Sequence, residues 1–177
     1  MVFLAMTMAA ALAVSDPLPP LRGNDLTGAK VELPAAARGK VTLLIFGFTY
    51  DSRHQVEDWT KRFRQEFERH PDAAFYKIPV IGGAAKLGKW FIDSGMRRGT
   101  PAADHPRVVT VYSGSGDWKK LLNYRNKDDA YLVLLDHEGR VRHLHHGGLN
   151  DAAWRELAST ARRWLDARRQ GAAEGRK

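Results

Sequence analysis

Apolar residues fall along this chain in two different periods, and the change from one to the other marks its central unit. From Val41 to Tyr50 the run VTLLIFGFTY is continuously hydrophobic, rich in β-branched and aromatic residues, preceded by Lys40 and interrupted only by Gly47. A run of that length without polar alternation reads as a strand buried on both faces, at the centre of a sheet covered by helices. After a turn through Thr49 to Ser52 the spacing becomes helical: Val56, Trp59, Phe63 and Phe67 recur every three or four residues. Their stripe faces the sheet, while Lys61, Arg62, Arg64 and Glu68 face water.

The same reading carries outward in both directions. Leu26, Val31 and Leu33 flank the turn Thr27-Gly28 and predict a small N-terminal hairpin over 23–33. Ala73 to Ile81 predicts a second strand, and a strand–helix–strand crossover requires it to lie parallel to the first. Gly82-Gly83 opens a second helix with Leu87, Trp90, Phe91 and Met96 on one face, ending near Arg98 to Pro101. Arg107 to Tyr112 reads as a third strand, and Asp117 as the cap of a short helix holding Trp118, Leu121 and Leu122. Ala130 to Asp136 and Val141 to His146, joined by a Gly-containing turn, predict a hairpin. Asn150 then caps a long helix with Trp154, Leu157, Ala161, Trp164 and Leu165 inward. No internal repeat or low-complexity segment is present. The order is that of an α/β fold with helices on a mixed central sheet.

Composition narrows the class without choosing a function. With 177 residues, 44% hydrophobic and 27% charged, the chain fits one globular domain able to bury a core without disulfides. Lys and Arg number 28 against 20 Asp and Glu, a net charge of +8 that favours anionic partners, whether acidic proteins, anionic lipid surfaces or nucleic acid. Much of the excess lies in the last residues, so a solvated helix end accounts for it and nucleic acid is not the expected partner. Residues 1–14 are apolar and end in small residues, with Ala11-Leu12-Ala13 fitting a cleavage rule. They read as a signal peptide or hydrophobic anchor, which places the protein as exported, periplasmic or membrane-associated. Residues 15–22 read as a proline-rich linker, 23–168 as the domain and 169–177 as a basic disordered tail.

The segment DLTGAKVELPAAARGKVTLLIFGFTY resembles the opening of the thioredoxin-like superfamily, in its peroxiredoxin, thiol-reductase and copper-chaperone branch. The resemblance implies a three-layer α/β/α sandwich with a mixed central sheet and an N-terminal hairpin, and a redox site after the central strand. The chain contains no cysteine. The first cysteine position falls on Asp51 and the second on His54 or Gln55, and without sulfur neither thiolate attack nor disulfide exchange can occur. AYLVLLDHEGRVRHLHHGG resembles the closing hairpin of the same families, with Ala130 on or beside the position of their cis-proline. The degenerate site is therefore Asp51, Ser52, His54 and Ala130. The stretch Tyr131 to Asp136 with Gly139 to His143, and Trp90-Phe91-Ile92 with Arg97, Arg98 and Pro101, is similar to the thioredoxin-like assembly factor of the mitochondrial ATP synthase. That likeness implies a factor that helps a membrane complex assemble and performs no catalysis, binding a membrane-associated protein partner.

Other chemistry is thinner. His143 and His145 share a strand face, so with His54 or Asp51 they form the alternative reading of a metal-binding protein or metalloenzyme. Against it, hairpin histidines interspersed with Arg140 and Arg142 fit an exposed edge. At the N-terminus of a helix, Asp51 is expected as a cap. Ser52 and His54 are too close on one turn to face each other as a catalytic pair. Gly82-Gly83 with Lys86 and Lys89 lacks phosphate-loop spacing. No cofactor is expected. Trp90, Arg97, Arg98, Arg162 and Arg163 make up the candidate partner surface.

Overall fold

A computed structural model describes residues 10–82 and 88–174, with side chains excepted at 89–91 and 168–174. Its centre is β3 (Val41–Gly47), in which Val41 to Phe46 are all buried. Strand β4 (Ala73–Pro79) lies parallel to it, β6 (Tyr131–Leu135) lies antiparallel on its other side, and β7 (Val141–His146) completes the order β4-β3-β6-β7. The parallel pairing follows from the crossover through α1 (Arg53–Phe67), as the periodicity predicts. A second sheet, in the order β2-β1-β5, joins β1 (Leu21–Asp25), β2 (Lys30–Leu33) and β5 (Val109–Thr110). Isolated parallel bridges from Lys77 to Val108 and from Val80 to Val111 link it to β4.

Each face of the four-stranded sheet has its own core, because side chains alternate along a strand. On one face Val41, Leu43, Ile45, Leu132 and Leu134 meet Trp59, Phe63 and Phe67 of α1 and Trp154, Leu157, Ala161 and Leu165 of α4 (Asp151–Glu174). On the other, Leu44, Phe46, Tyr131 and Val133 meet Leu21 and Leu33 of the N-terminal hairpin and Trp118 and Leu122 of, or just past, α3 (Ser115–Leu121). The Asn150 side chain accepts from the Ala153 N–H at 3.0 Å and so caps α4 as expected. Helix α2 (Lys89–Gly99) carries Asp93, which accepts a hydrogen bond from Tyr112 at 2.6 Å. The expected helix entry at Gly83 to Leu87 and the side chains of Lys89, Trp90 and Phe91 lie outside the described residues.

Three of the expected boundaries and caps change, and one residue of the apolar N-terminal segment is placed. Residues 15–22 are not a free linker. Ser15 donates to the Val141 carbonyl at 2.8 Å, Val141 donates to the Asp16 carbonyl at 2.8 Å, Leu18 is buried, and β1 begins at Leu21. Proline bars Pro17 from donating but not from lying along a strand edge, which is what it does beside Arg140. Of the apolar segment 1–14, Leu12 donates to the Leu121 carbonyl at 2.8 Å and packs on the core. Helix α4 continues to Glu174, past the boundary expected at 168. Asp117 lies in the first turn of α3, whose cap position is Gly114 at a φ of 69°, a conformation that glycine adopts without strain. Among the described residues no helix is long and apolar enough to cross a membrane.

Candidate functional site

The turn from β3 into α1, where this fold carries its chemistry, is closed by its own hydrogen bonds. Ser52 is fully buried and its hydroxyl donates to the Thr49 carbonyl at 2.8 Å. Its N–H donates to the Thr49 hydroxyl at 3.2 Å, which in turn donates to the Lys127 carbonyl at 2.8 Å. Gly47 is what lets the helix approach so closely, since a Cβ there would sit 2.8 Å from the Ser52 oxygen. Ser52 is thus a fastener for two loops and faces no base. Asp51 does not cap the helix: the cap position is Ser52, with no side-chain bond, and Asp51 instead lies 3.7 Å from Arg53.

Ala130 occupies the position opposite. Its N–H donates to the side-chain oxygen of Gln55 at 2.9 Å, and its carbonyl accepts from Gly147 at 2.9 Å. A proline there would have no N–H to satisfy; with alanine the buried donor needs a partner, and Gln55 reaches across from the first turn of α1 to supply it. Trp59 adds a second strut, its indole N–H donating to the Gly147 carbonyl at 2.9 Å. The Tyr131 hydroxyl accepts from the N–H groups of Arg125 and Asn126, at 2.8 and 3.0 Å, and fixes the loop before β6.

What remains open is the rim. Tyr50 is 78% exposed, with the Arg53 guanidinium 3.6 Å from its ring centre and bonded at 2.8 Å to its carbonyl. Beside the Thr49–Lys127 junction, Lys119 lies 4.5 Å from the Tyr124 ring centre, and Phe48 packs edge-on against Tyr124 and Tyr131. Exposed Leu149 follows Gly148, whose backbone abuts Gln55. Sequence reading placed Gln55 at a cysteine position without giving it a role, and missed Tyr50 and Arg53. The one available signal was a tyrosine ending an apolar run with an arginine three residues on.

The histidine hairpin differs from its expected exposed edge. His143 and His145 face the α1–α4 layer opposite Leu134 and Leu132, half-buried, with His145 edge-on to Trp59 at 5.3 Å. Burial lowers the affinity of both for a proton, and so do their histidine neighbours, while Glu156 acts in the opposite sense. His54 is not brought to them, and among the described residues no three His, Cys, Asp or Glu groups converge to hold a metal ion. His146 instead binds Asp129 at 2.9 Å and stacks on Tyr131. At the hairpin turn Asp136 is buried. Burial alone would raise its pKa, but the N–H of Arg140, the Arg142 guanidinium and the N–H of Glu138 together hold it below the usual carboxylate value.

The basic residues of the candidate partner surface are spread out. Arg98 bonds Ser94 at 2.8 Å, and the Arg97 carbonyl meets the ring of His105 at 3.3 Å. Arg162 pairs with Glu66 of α1, and Arg163 is exposed. The side chain of Trp90 lies outside the described residues.

A mixed four-stranded sheet with a parallel β3–α1–β4 crossover and a closing antiparallel hairpin, with no cysteine in the turn at the head of α1, defines a thioredoxin-like fold. Solved structures share the fold. One, from Bacteroides thetaiotaomicron and described as a protein disulfide isomerase, is 19% identical with a TM-score of 0.61, over 90% of this chain and 95% of that one. The thioredoxin domain of a thiol-disulfide oxidoreductase from Bacteroides vulgatus is 19% identical with a TM-score of 0.55, over 84% and 97%. BsSco, of the Sco family of cytochrome c oxidase assembly proteins, is 16% identical with a TM-score of 0.51, over 84% and 97%. No curated protein matches the chain by sequence. The chain belongs to the ATP10 protein family, whose pattern matches residues 3–163.

Proposed function

We propose that this chain is a redox-inactive binding protein that assists assembly or maturation of a membrane or envelope complex, the ATP synthase being the complex its family points to. It does no catalysis of its own. The observation that carries this reading is the state of the old redox site. Its inner polar groups bond to one another, Ser52 with Thr49 and the Ala130 N–H with Gln55, while an exposed tyrosine stacked with arginine stands on the rim. Tyr and Arg are enriched at protein interfaces and among the residues that carry most of the binding energy there. The net charge of +8 supports work beside an anionic membrane surface, and the apolar N-terminal segment supports export or membrane association.

Site-specific photocrosslinking in native membranes tests the reading. A crosslinker at the neighbouring exposed position 51 captures a membrane subunit of the complex, and Tyr50→Ala with Arg53→Ala weakens capture by roughly tenfold or more at unchanged thermal stability. Capture equal from position 51 and from a control at Lys61 on α1, or unaffected by the two substitutions, overturns it.

A further inference from the structure

The proposed binding role leaves the buried histidines of the closing hairpin unused, and their arrangement has a consequence of its own. Strand β7 is an edge of the sheet, and Val141 pairs with Leu135 while His143 pairs with Leu134, so Arg142 is an extra residue in a bulge. The bulge turns Arg142 to the same side as His143 and His145, the side that α4 covers. Arg142 is held by Asp136 at 2.6 Å and lies 3.9 Å from the ring centre of Trp164. The rings of His143 and His145 are near-parallel, 14° apart with centroids 6.5 Å from each other. The Nε2 atom of each is buried without a hydrogen-bond partner among the described residues, as is Nδ1 of His137, whose ring lies 6.3 Å from Trp164.

We propose that His143 and His145 act as a proton-operated latch for α4: neutral, the stacked rings seat the helix on the edge strand; protonated, they loosen it. A neutral imidazole leaves at Nε2 one uncharged unpartnered atom, whereas a protonated one places both an unsatisfied N–H and a charge in an apolar layer, which costs far more. Two such rings in contact repel each other. The surrounding charges cannot absorb this. From α4 only Glu156 acts on both rings, and it is exposed; Asp129, in the loop before β6, is engaged by His146; Asp136 is engaged by Arg142; α1 offers the neutral Trp59. Arg142, on the same strand, brings a further positive charge to that side of the sheet.

The sign follows from linkage. The docked state holds both histidines below the ordinary imidazole value of about 6.5, so the undocked state binds more protons between the two values. Docking is at full strength above that value and weakens as pH falls through it toward the docked-state values. Acidification then frees the apolar stripe of α4 while the α1–β3–β4 unit stays closed.

Hydrogen exchange of the full chain, corrected for intrinsic rates and followed by mass spectrometry between about pH 7.5 and 5.5, tests the latch. Peptides of α4 lose protection by roughly tenfold or more, peptides of β3 and α1 do not, and His143→Asn with His145→Gln abolishes the difference. Glu156→Gln, which removes the charge that favours the protonated rings in the docked state, deepens the loss and moves it to higher pH. Unchanged α4 protection across that range, or an equal response in the double variant, overturns the proposal. Should the double variant not fold, proton NMR titration of the wild-type imidazoles decides: midpoints at or above about 6.5 overturn the proposal, and lower midpoints that coincide with α4 amide shifts support it.

Discussion

Gln55 and Ala130 show how one side chain replaces what a proline makes unnecessary. Ala130 is buried, and Gln55 supplies the acceptor for its N–H. Gln55→Ala is therefore expected to destabilise the chain by about 1–3 kcal/mol, the cost of an unsatisfied buried donor, as measured by chemical denaturation. Gln55→Glu keeps an acceptor and loses less. Tyr50 and Arg53 behave in the opposite way, because exposed cation–π contacts contribute little to folding. Their removal changes binding and leaves stability within about 0.5 kcal/mol. Gln55 and Ala130 stand in plain sight in the sequence. Their roles were not legible there, because a hydrogen bond spanning 75 positions depends on which loops the fold brings together.

At the scale of elements the closing hairpin is held by a single carboxylate. Asp136 accepts from Glu138 N–H at 2.9 Å, from Arg140 N–H at 3.0 Å and from Arg142 at 2.6 Å. Gly139 completes the turn at a φ of 84°, where a Cβ would also strike Pro34 at 2.7 Å. Asp136→Asn removes the charge but not the shape, and is expected to cost about 2–4 kcal/mol at neutral pH. The folded state depresses the Asp136 pKa, so its contribution is complete above the unfolded value near 3.9 and is lost as pH falls through the folded one. Stability curves of wild type and variant should accordingly converge on acidification, and parallel curves would contradict the assignment. The hairpin itself was legible from two apolar runs and a glycine turn. The bulge that sets Arg142 beside His143 was not, because it leaves no mark on the apolar spacing that a strand shows.

The whole molecule depends on α4 closing one face of the sheet. Leu157 is fully buried among Val41, Leu43 and Trp59, so Leu157→Ala should cost about 2–5 kcal/mol through lost contacts and the cavity left behind. At this chain length that lowers the melting temperature by roughly 4–15 °C, readable by calorimetry. The second core is closed differently, by α3, the N-terminal hairpin and the segment around Leu12 and Leu18. Residues 15–22 of that segment were expected to be a linker because proline and short polar residues disfavour regular structure. Its docking along β7 rests on backbone bonds to Val141 and Gly139, which composition does not encode.

The sequence alone determined the buried central strand, the amphipathic helices, the parallel crossover, the closing hairpin and the loss of sulfur chemistry. All of these follow from local periodicity or from the presence or absence of an element. Tertiary structure decided that Ser52 is a fastener, that Gln55 answers Ala130, that His143 and His145 lie beneath a helix without a third ligand, and that Tyr50 with Arg53 is what the site presents. Each of those depends on which distant backbone groups meet and which remain exposed, a property of the packed chain that no stretch of it carries by itself.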